Sequence, residues 1–223
     1  MGAAAQPGIV VLISGSGTNL QALIDAVKDG RIPGCIRAVI SNRPGVAGLD
    51  RAARAGIHHE VINHRDHGDR EAFDAALMTG IDAHAPDLVV LAGFMRVLTP
   101  DFVGHYAGRL INIHPSLLPA YRGLHTHERA LKDGVEGHGC SVHFVNTELD
   151  GGPVIIQARV PVLRDDTPDI LAARVQQQEH RVYPQVVRWF CQGRLTLADG
   201  QVRLDEKTLH TPLQVEADTP LDA

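Results

Sequence analysis

Asn112 and His114 lie two residues apart in Leu110-Ile111-Asn112-Ile113-His114, which runs on into Pro115-Ser116-Leu117-Leu118-Pro119. In an extended chain successive side chains alternate between faces, so Asn112 and His114 project from one side of a strand while Ile111 and Ile113 take the other. A neutral amide donor and an imidazole, which can donate, accept or carry a proton, are thereby set side by side. Pro115 biases His114 toward extended backbone and helps end the strand, putting the pair where a parallel sheet opens into a ligand crevice. Taken singly, Asn112 also reads as a strand-end residue bonding local backbone and His114 as a packed core histidine; the two on one face point to a site. Asp150, in Glu148-Leu149-Asp150-Gly151-Gly152-Pro153, is either a third member or a turn residue, and sequence separation alone does not bring it to His114.

A second candidate is Gly15-Ser16-Gly17-Thr18-Asn19, between the apolar run Ile9 to Ser14 and the helical spacing of Leu20, Leu23, Ile24 and Val27. A glycine loop opening a helix offers free backbone N–H groups and the positive end of the helix dipole to a phosphate. A tight turn that merely lets helix pack on strand is the alternative. No Gly-Lys-Ser/Thr follows, which excludes a Walker A loop. Leu20 replaces the third glycine of the dinucleotide fingerprint, and Ser41-Asn42-Arg43 stands where a ribose-binding carboxylate is expected.

The elements that must position these residues follow from hydrophobic period and punctuation. Strand-like runs at Ile36 to Ser41, His59 to Ile62, Leu88 to Ala92 and Leu110 to His114 alternate with helical patterns through Ala47 to Ala55 and from about Arg70 to Ala85. Thr99-Pro100-Asp101 and Thr167-Pro168-Asp169 read as helix caps, the latter opening a long helix to about Phe190. This order specifies an α/β fold with a doubly wound, mostly parallel sheet and a Rossmann-like N-terminal half. Cys140 to Val145 and Val154 to Val162 are expected to pair antiparallel. Residues 1–195 are expected to form one domain, with a phosphate-binding half at about 8–108 and a catalytic half at about 109–193. In 196–223, Asp199-Gly200 reads as a hairpin turn, and the chain beyond Lys207 as a loose tail.

Across 223 residues the net charge is −5 and the basic residues are scattered, which leaves no electrostatic footprint for nucleic acid. Cys35, Cys140 and Cys191 form no CxxC pair and point to a reducing compartment, hence the cytoplasm. No apolar segment is long enough for a bilayer, and the start Met1 to Pro7 lacks the marks of a leader. The remaining histidines, among them His58, His59, His64, His67, His125, His127, His138 and His143, show no convincing third ligand beside His64-x-x-His67, so no metal is expected.

Five segments together resemble the folate-dependent phosphoribosylglycinamide formyltransferase family: Gly15 to Leu23, Leu91 to Arg96, Asn112 to Pro119, Gly123 to His127 and Glu148 to Pro153. The resemblance runs from about Ile9 to Gly193, in order and at compatible spacing. It implies transfer of a formyl group from 10-formyltetrahydrofolate to glycinamide ribonucleotide in purine biosynthesis, by a monomer or homodimer acting on two small molecules. It further implies that Asn112, His114 and Asp150 are catalytic, and that Gly17, Thr18 and Asn19 hold the substrate phosphate. Gln176, Gln177, Gln178 and Glu179 would contact the same nucleotide. Arg70, Met95, Arg96, Val97 and Leu98, with Asn112 and with Asn146, Thr147, Glu148, Leu149 and Asp150, would receive the folate. Thr18 stands where many relatives carry Ser, and neither Arg122 nor the tail after Gly193 follows a pattern of the family.

The chemistry suits the residues. Formyl transfer to an amine passes through a tetrahedral intermediate whose oxygen becomes negative, and each preorganised donor aimed at that oxygen is worth about 2.7–4 kcal/mol. Asn112 supplies a neutral N–H, and His114 a charged one if Asp150 lies against it. Two other readings compete. Related enzymes that formylate methionyl-tRNA or hydrolyse formyltetrahydrofolate normally carry a further domain, for which this chain has no room. A nonenzymatic NADP-sensing module, with Arg43 on the extra phosphate, fits poorly with the imperfect fingerprint and the Asn112/His114 pair.

Overall fold

The computed structural model describes residues 6–217, 219 and 221. The leader expectation at 1–5 and the last part of the tail at 218, 220, 222 and 223 lie outside the described residues. The chain runs β1 (Gly8–Ile13), α1 (Thr18–Lys28), β2 (Cys35–Ser41), α2 (Ala47–Arg54), β3 (His59–Val61), a 3-10 turn at His64–Asp66, α3 (Arg70–Asp82), β4 (Leu88–Leu91), α4 (Pro100–His105) and β5 (Leu110–His114). It continues with α5 (Thr126–Lys132), β6 (Gly137–Phe144), β7 (Val154–Pro161), α6 (Pro168–Cys191), β8 (Leu195–Ala198), β9 (Gln201–Leu204), β10 (Lys207–Thr208) and β11 (Leu213–Glu216).

Eight strands form one sheet in the order β11-β7-β6-β5-β4-β1-β2-β3. The stretch from β3 to β5 is parallel, β6 is antiparallel to both β5 and β7, and β11 runs parallel to β7. Strand order reverses between β1 and β4, so the loops leaving their carboxyl ends diverge and open a crevice. A separate antiparallel sheet, β10-β9-β8, follows α6 and turns at Asp199-Gly200 as the sequence suggested.

Every residue of β1 is buried, which is why it reads as an unbroken apolar run. Ile9, Val11 and Ile13 pack in one core with Leu20 and Leu23 of α1 and Val182 and Tyr183 of α6. Val10 and Leu12 face the second core with Phe73 and Leu77 of α3 and Phe102 of α4. Thr99 and Thr167 cap α4 and α6 as expected, accepting from Phe102 N and Ile170 N at 3.3 Å each. The buried Tyr183 hydroxyl donates to the carbonyls of Leu91 (2.9 Å) and Ile111 (3.2 Å), fixing α6 across β4 and β5 beneath the crevice.

One expectation is corrected. Beyond Lys207 the chain is not a loose tail: Leu213–Glu216 adds an edge strand to the main sheet, with Leu213 and Val215 against the core. Leu213-Gln214-Val215-Glu216 alternates with period two, but four residues after a polar Pro-containing stretch are too short a signal to stand out. Gln214 Nε2 donates to Gln157 Oε1 (2.9 Å), and Gln157 Nε2 donates to the Leu118 carbonyl (2.8 Å), tying the new strand to the loop that follows His114. Gln214→Ala is expected to cost about 0.5–1.5 kcal/mol, the usual range for one hydrogen bond. Urea unfolding should register that loss while kcat changes by less than about twofold.

Candidate active site

The carboxyl end of β5 delivers Asn112 and His114 together, and the loop between β6 and β7 brings Asp150 to them. His114 Nδ1 lies 3.5 Å from Asp150 Oδ2, with both side chains about nine-tenths buried. His114 Nε2 donates to the Tyr121 carbonyl (2.9 Å). Nε2–H is therefore committed to a backbone carbonyl, while Nδ1 faces the carboxylate at the edge of hydrogen-bond range. Asp150 Oδ2 also accepts from Gly123 N at 2.8 Å, so the carboxylate is fixed from two sides.

The Asp150 loop depends on close backbone approach. Asp150 has φ +48°, in the left-handed region that Asp tolerates better than most residues. A Cβ on Gly152 would fall 1.9 Å from the Phe144 carbonyl oxygen. That contact draws the loop down onto the end of β6 and leaves no room for a side chain.

His143 completes the group, which no local sequence pattern marks. It sits opposite Asn112 in the β5–β6 ladder. Its Nδ1 donates to the Phe144 carbonyl (2.9 Å), and burial pushes its pKa below the ordinary 6.5, so the ring is neutral with Nε2 as acceptor. Asn112 Nδ2 donates to that Nε2 at 3.2 Å. This settles which way the Asn112 amide points and leaves its second N–H for another acceptor. Only the strand register reveals the pairing. His125 is not part of the group: it is exposed, with Nδ1 3.4 Å from Glu128.

The glycine loop is held close to α6. Gly17, at φ +69°, precedes α1 and offers no side-chain cap, so the first-turn N–H groups are left pointing outward. A Cβ on Gly17 would lie 2.7 Å from Gly48 Cα. Gln176 Nε2 donates to Thr18 Oγ1 (2.9 Å), and Asn19 Nδ2 donates to the buried Glu179 Oε2 (2.8 Å). Asn19 Oδ1 is buried with no partner among the described residues. Gln177 and Gln178 are not brought to the loop: Gln177 is exposed, and Gln178 Oε1 accepts from Arg181. One α-helical face carries positions three or four apart, so 176 and 179 share a direction that 177 and 178 do not.

The segment after β4 leaves beside Asn112, which pairs with Leu91. Met95 N donates to Ser14 Oγ (2.8 Å), and Ser14 Oγ donates to Asn42 Oδ1 (2.6 Å), so Ser14 and Asn42 serve as internal braces. Met95, Val97 and Leu149 are exposed large apolar side chains. The Arg96 guanidinium lies 5.5 Å from the Phe73 ring centroid, with a buried Nε lacking a partner among the described residues. Arg70 is exposed at the start of α3, 3.6 Å from Glu71. Asn146 Oδ1 accepts from Glu148 N (3.0 Å), shaping the loop toward Asp150.

A Rossmann-like half that carries a glycine loop after β1 and an amide, an imidazole and a carboxylate at the carboxyl end of β5, two strands along the same sheet, suits a group-transfer enzyme, and the chain belongs to the formyl transferase family, whose model matches residues 8–187. Within that family it is 58% identical over 201 residues to the phosphoribosylglycinamide formyltransferase of Escherichia coli (strain K12), covering 90% of this chain and 95% of that protein. The solved phosphoribosylglycinamide formyltransferase of Coxiella burnetii superposes with a TM-score of 0.90 at 51% identity, covering 94% of this chain and 99% of that one. The formyltetrahydrofolate deformylase of Burkholderia mallei shares the fold at a TM-score of 0.81 but only 28% identity, over 90% of this chain and 70% of that one. Among the described residues no helix is long and apolar enough to cross a membrane.

Proposed function

We infer that this protein transfers the formyl group of 10-formyltetrahydrofolate to the amine of glycinamide ribonucleotide, giving formylglycinamide ribonucleotide and tetrahydrofolate in de novo purine synthesis. The observation that carries this reading is the 3.5 Å approach of the Asp150 carboxylate to His114 beside an oriented Asn112, in a chain 58% identical to a phosphoribosylglycinamide formyltransferase. On this reading the protein works in the cytoplasm, as a monomer or homodimer.

The residues divide the work. Gly17, Thr18 and Asn19 take the phosphate on first-turn N–H groups at the positive end of α1. Gln176 and Glu179 contact the same nucleotide, with Gln177 and Gln178 as outlying members. Met95, Val97, Leu98 and Leu149 give the flat folate ring and its aryl arm an apolar seat, and Asn146, Thr147 and Glu148 line its edge. Arg70 and Arg96 offer guanidinium groups to the folate carboxylates.

As the amine attacks, a C–N bond forms to the formyl carbon and its oxygen becomes negative. Asn112 donates its free N–H to that oxygen, and His114, whose Nε2 is held by the Tyr121 carbonyl, turns its Nδ1 from the loose 3.5 Å contact with Asp150 toward the same oxygen and donates once that nitrogen carries a proton. Asp150 accepts the proton shed by the amine nitrogen, which turns positive as its lone pair bonds to the carbon. The bond from the formyl carbon to folate N10 then breaks as N10 takes up a proton, relayed through water or the imidazole.

Steady-state assay of the purified chain with both substrates tests the function. Tetrahydrofolate should appear in step with formylated nucleotide, and only when glycinamide ribonucleotide is present. Release of formate at a comparable rate without the nucleotide would instead mark a hydrolase.

Glu179 yields a prediction of its own. Burial pushes its pKa above the ordinary 4.5, outweighing the Asn19 hydrogen bond that pulls it down. A carboxyl with a raised folded pKa destabilises the fold progressively as pH rises from its ordinary value through the raised one. Glu179→Gln should therefore match the wild type in thermal midpoint below pH 4.5 and exceed it at neutral pH, by about 2–4 °C per kcal/mol relieved. Nucleotide Kd should rise about tenfold, one lost charge-assisted bond. Calorimetry and thermal melts across pH check both halves.

A further inference from the structure

His58, Glu60 and His84 meet at the edge of the main sheet, where the chain enters β3 and leaves α3, at the end of the strands opposite the crevice. Each side chain offers one ligand atom, and the three atoms lie within 4.8 Å of one another. His84 Nε2 is 3.3 Å from Glu60 Oε1, and the His58 and His84 rings are 4.9 Å apart, tilted by 45°. The backbone under them is anchored. The His84 carbonyl accepts from Arg37 Nη1 (3.1 Å), the His58 carbonyl accepts from Val39 N (2.9 Å), and Glu60 stands in the β2–β3 ladder opposite Ile40. The neighbouring His59 turns its ring back to the Ile57 carbonyl and takes no part. No Arg or Lys among the described residues forms a salt bridge with Glu60.

We propose that His58, Glu60 and His84 form a surface site for one divalent cation of the zinc class. Two imidazoles and a carboxylate suit Zn²⁺ and its borderline neighbours, whereas Mg²⁺ and Ca²⁺ require oxygen ligands throughout. With bonds of about 2.0–2.2 Å, a tetrahedral zinc holds its ligand atoms roughly 3.3–3.5 Å apart, the separation His84 and Glu60 already have. His58 is exposed, so a change of rotamer can bring its nitrogen to the remaining distance. The fourth position falls to water. Because the ligands come from the entry and middle of an edge strand and the exit of a helix, the bound ion joins β3 to the end of α3. A ligand that binds the folded state alone raises stability with its concentration.

The test uses the full, tag-free chain stripped of metal and titrated with zinc chloride by calorimetry, with thermal melts in parallel. One equivalent should bind saturably at micromolar zinc and raise the thermal midpoint. His58→Ala, His84→Ala and Glu60→Gln should each weaken binding at least tenfold without loss of folding. His127→Ala, which removes the other close histidine contact (His127 Nδ1 to His138 Nε2, 3.1 Å), should leave binding unchanged. Absence of saturable binding below millimolar zinc overturns the proposal. So does binding that survives loss of His58 and His84, or that disappears with His127.

Discussion

His114→Ala lowers kcat by on the order of 10²–10³, the range measured when one preorganised donor to a developing oxyanion is removed. Asp150→Asn keeps the shape of the carboxyl but removes the charge 3.5 Å from His114 Nδ1, and is expected to cost a similar factor. The two should not add. Asp150 takes the amine's proton while facing the imidazole, so the two serve one step as a unit and the double variant should resemble the worse single one rather than their product. Nucleotide Kd should move by less than about threefold in all three variants, because the glycine loop and Glu179 are supported by a different set of hydrogen bonds. Single-turnover rates combined with equilibrium binding separate the two quantities. Turnover near the wild-type value in either single variant would remove the pair from the mechanism.

Asn112→Ala carries the second large effect. The amide has one N–H committed to the neutral His143 and one available to the reacting oxygen. Deletion therefore removes a donor aimed at charge that exists only in the transition state, and kcat should fall by about 10²–10³ with KM for the nucleotide little altered. His143→Phe tests the orientation separately. With Nε2 gone, Asn112 stays in place but is free to rotate, so a smaller loss of about tenfold in kcat is expected, again without a matching change in Kd. An Asn112→Ala enzyme that loses affinity and turnover in proportion would instead make the residue a ground-state contact.

Much of the fold was legible because its signals are local. β1 and β4 are buried on both faces and read as unbroken apolar runs, and Thr99-Pro100 and Thr167-Pro168 carry cap and first turn within a few residues. The site was legible in part for the same reason. Asn112 and His114 share a strand face by period two, and the glycine loop opens a helix. Three features were not. His143 joins the site only through the register of β6 against β5. The edge strand β11 is four residues long and gains its identity from a partner that precedes it by more than fifty positions. His58, Glu60 and His84 converge although α3 lies between the first two and the third.

By itself, then, the sequence determined the order and type of the elements, the pairing of an amide with an imidazole on one strand, and the family to which the motifs belong. Those follow from backbone period, capping chemistry and residue identity, which act over a few residues. Tertiary structure alone decided that Asp150 reaches His114, that His143 orients Asn112, and that Glu179 meets Asn19. Contacts of that kind depend on how separate elements stack in space, and the close backbone approach that Gly152 permits is the sort of long-range steric fact that no local pattern records.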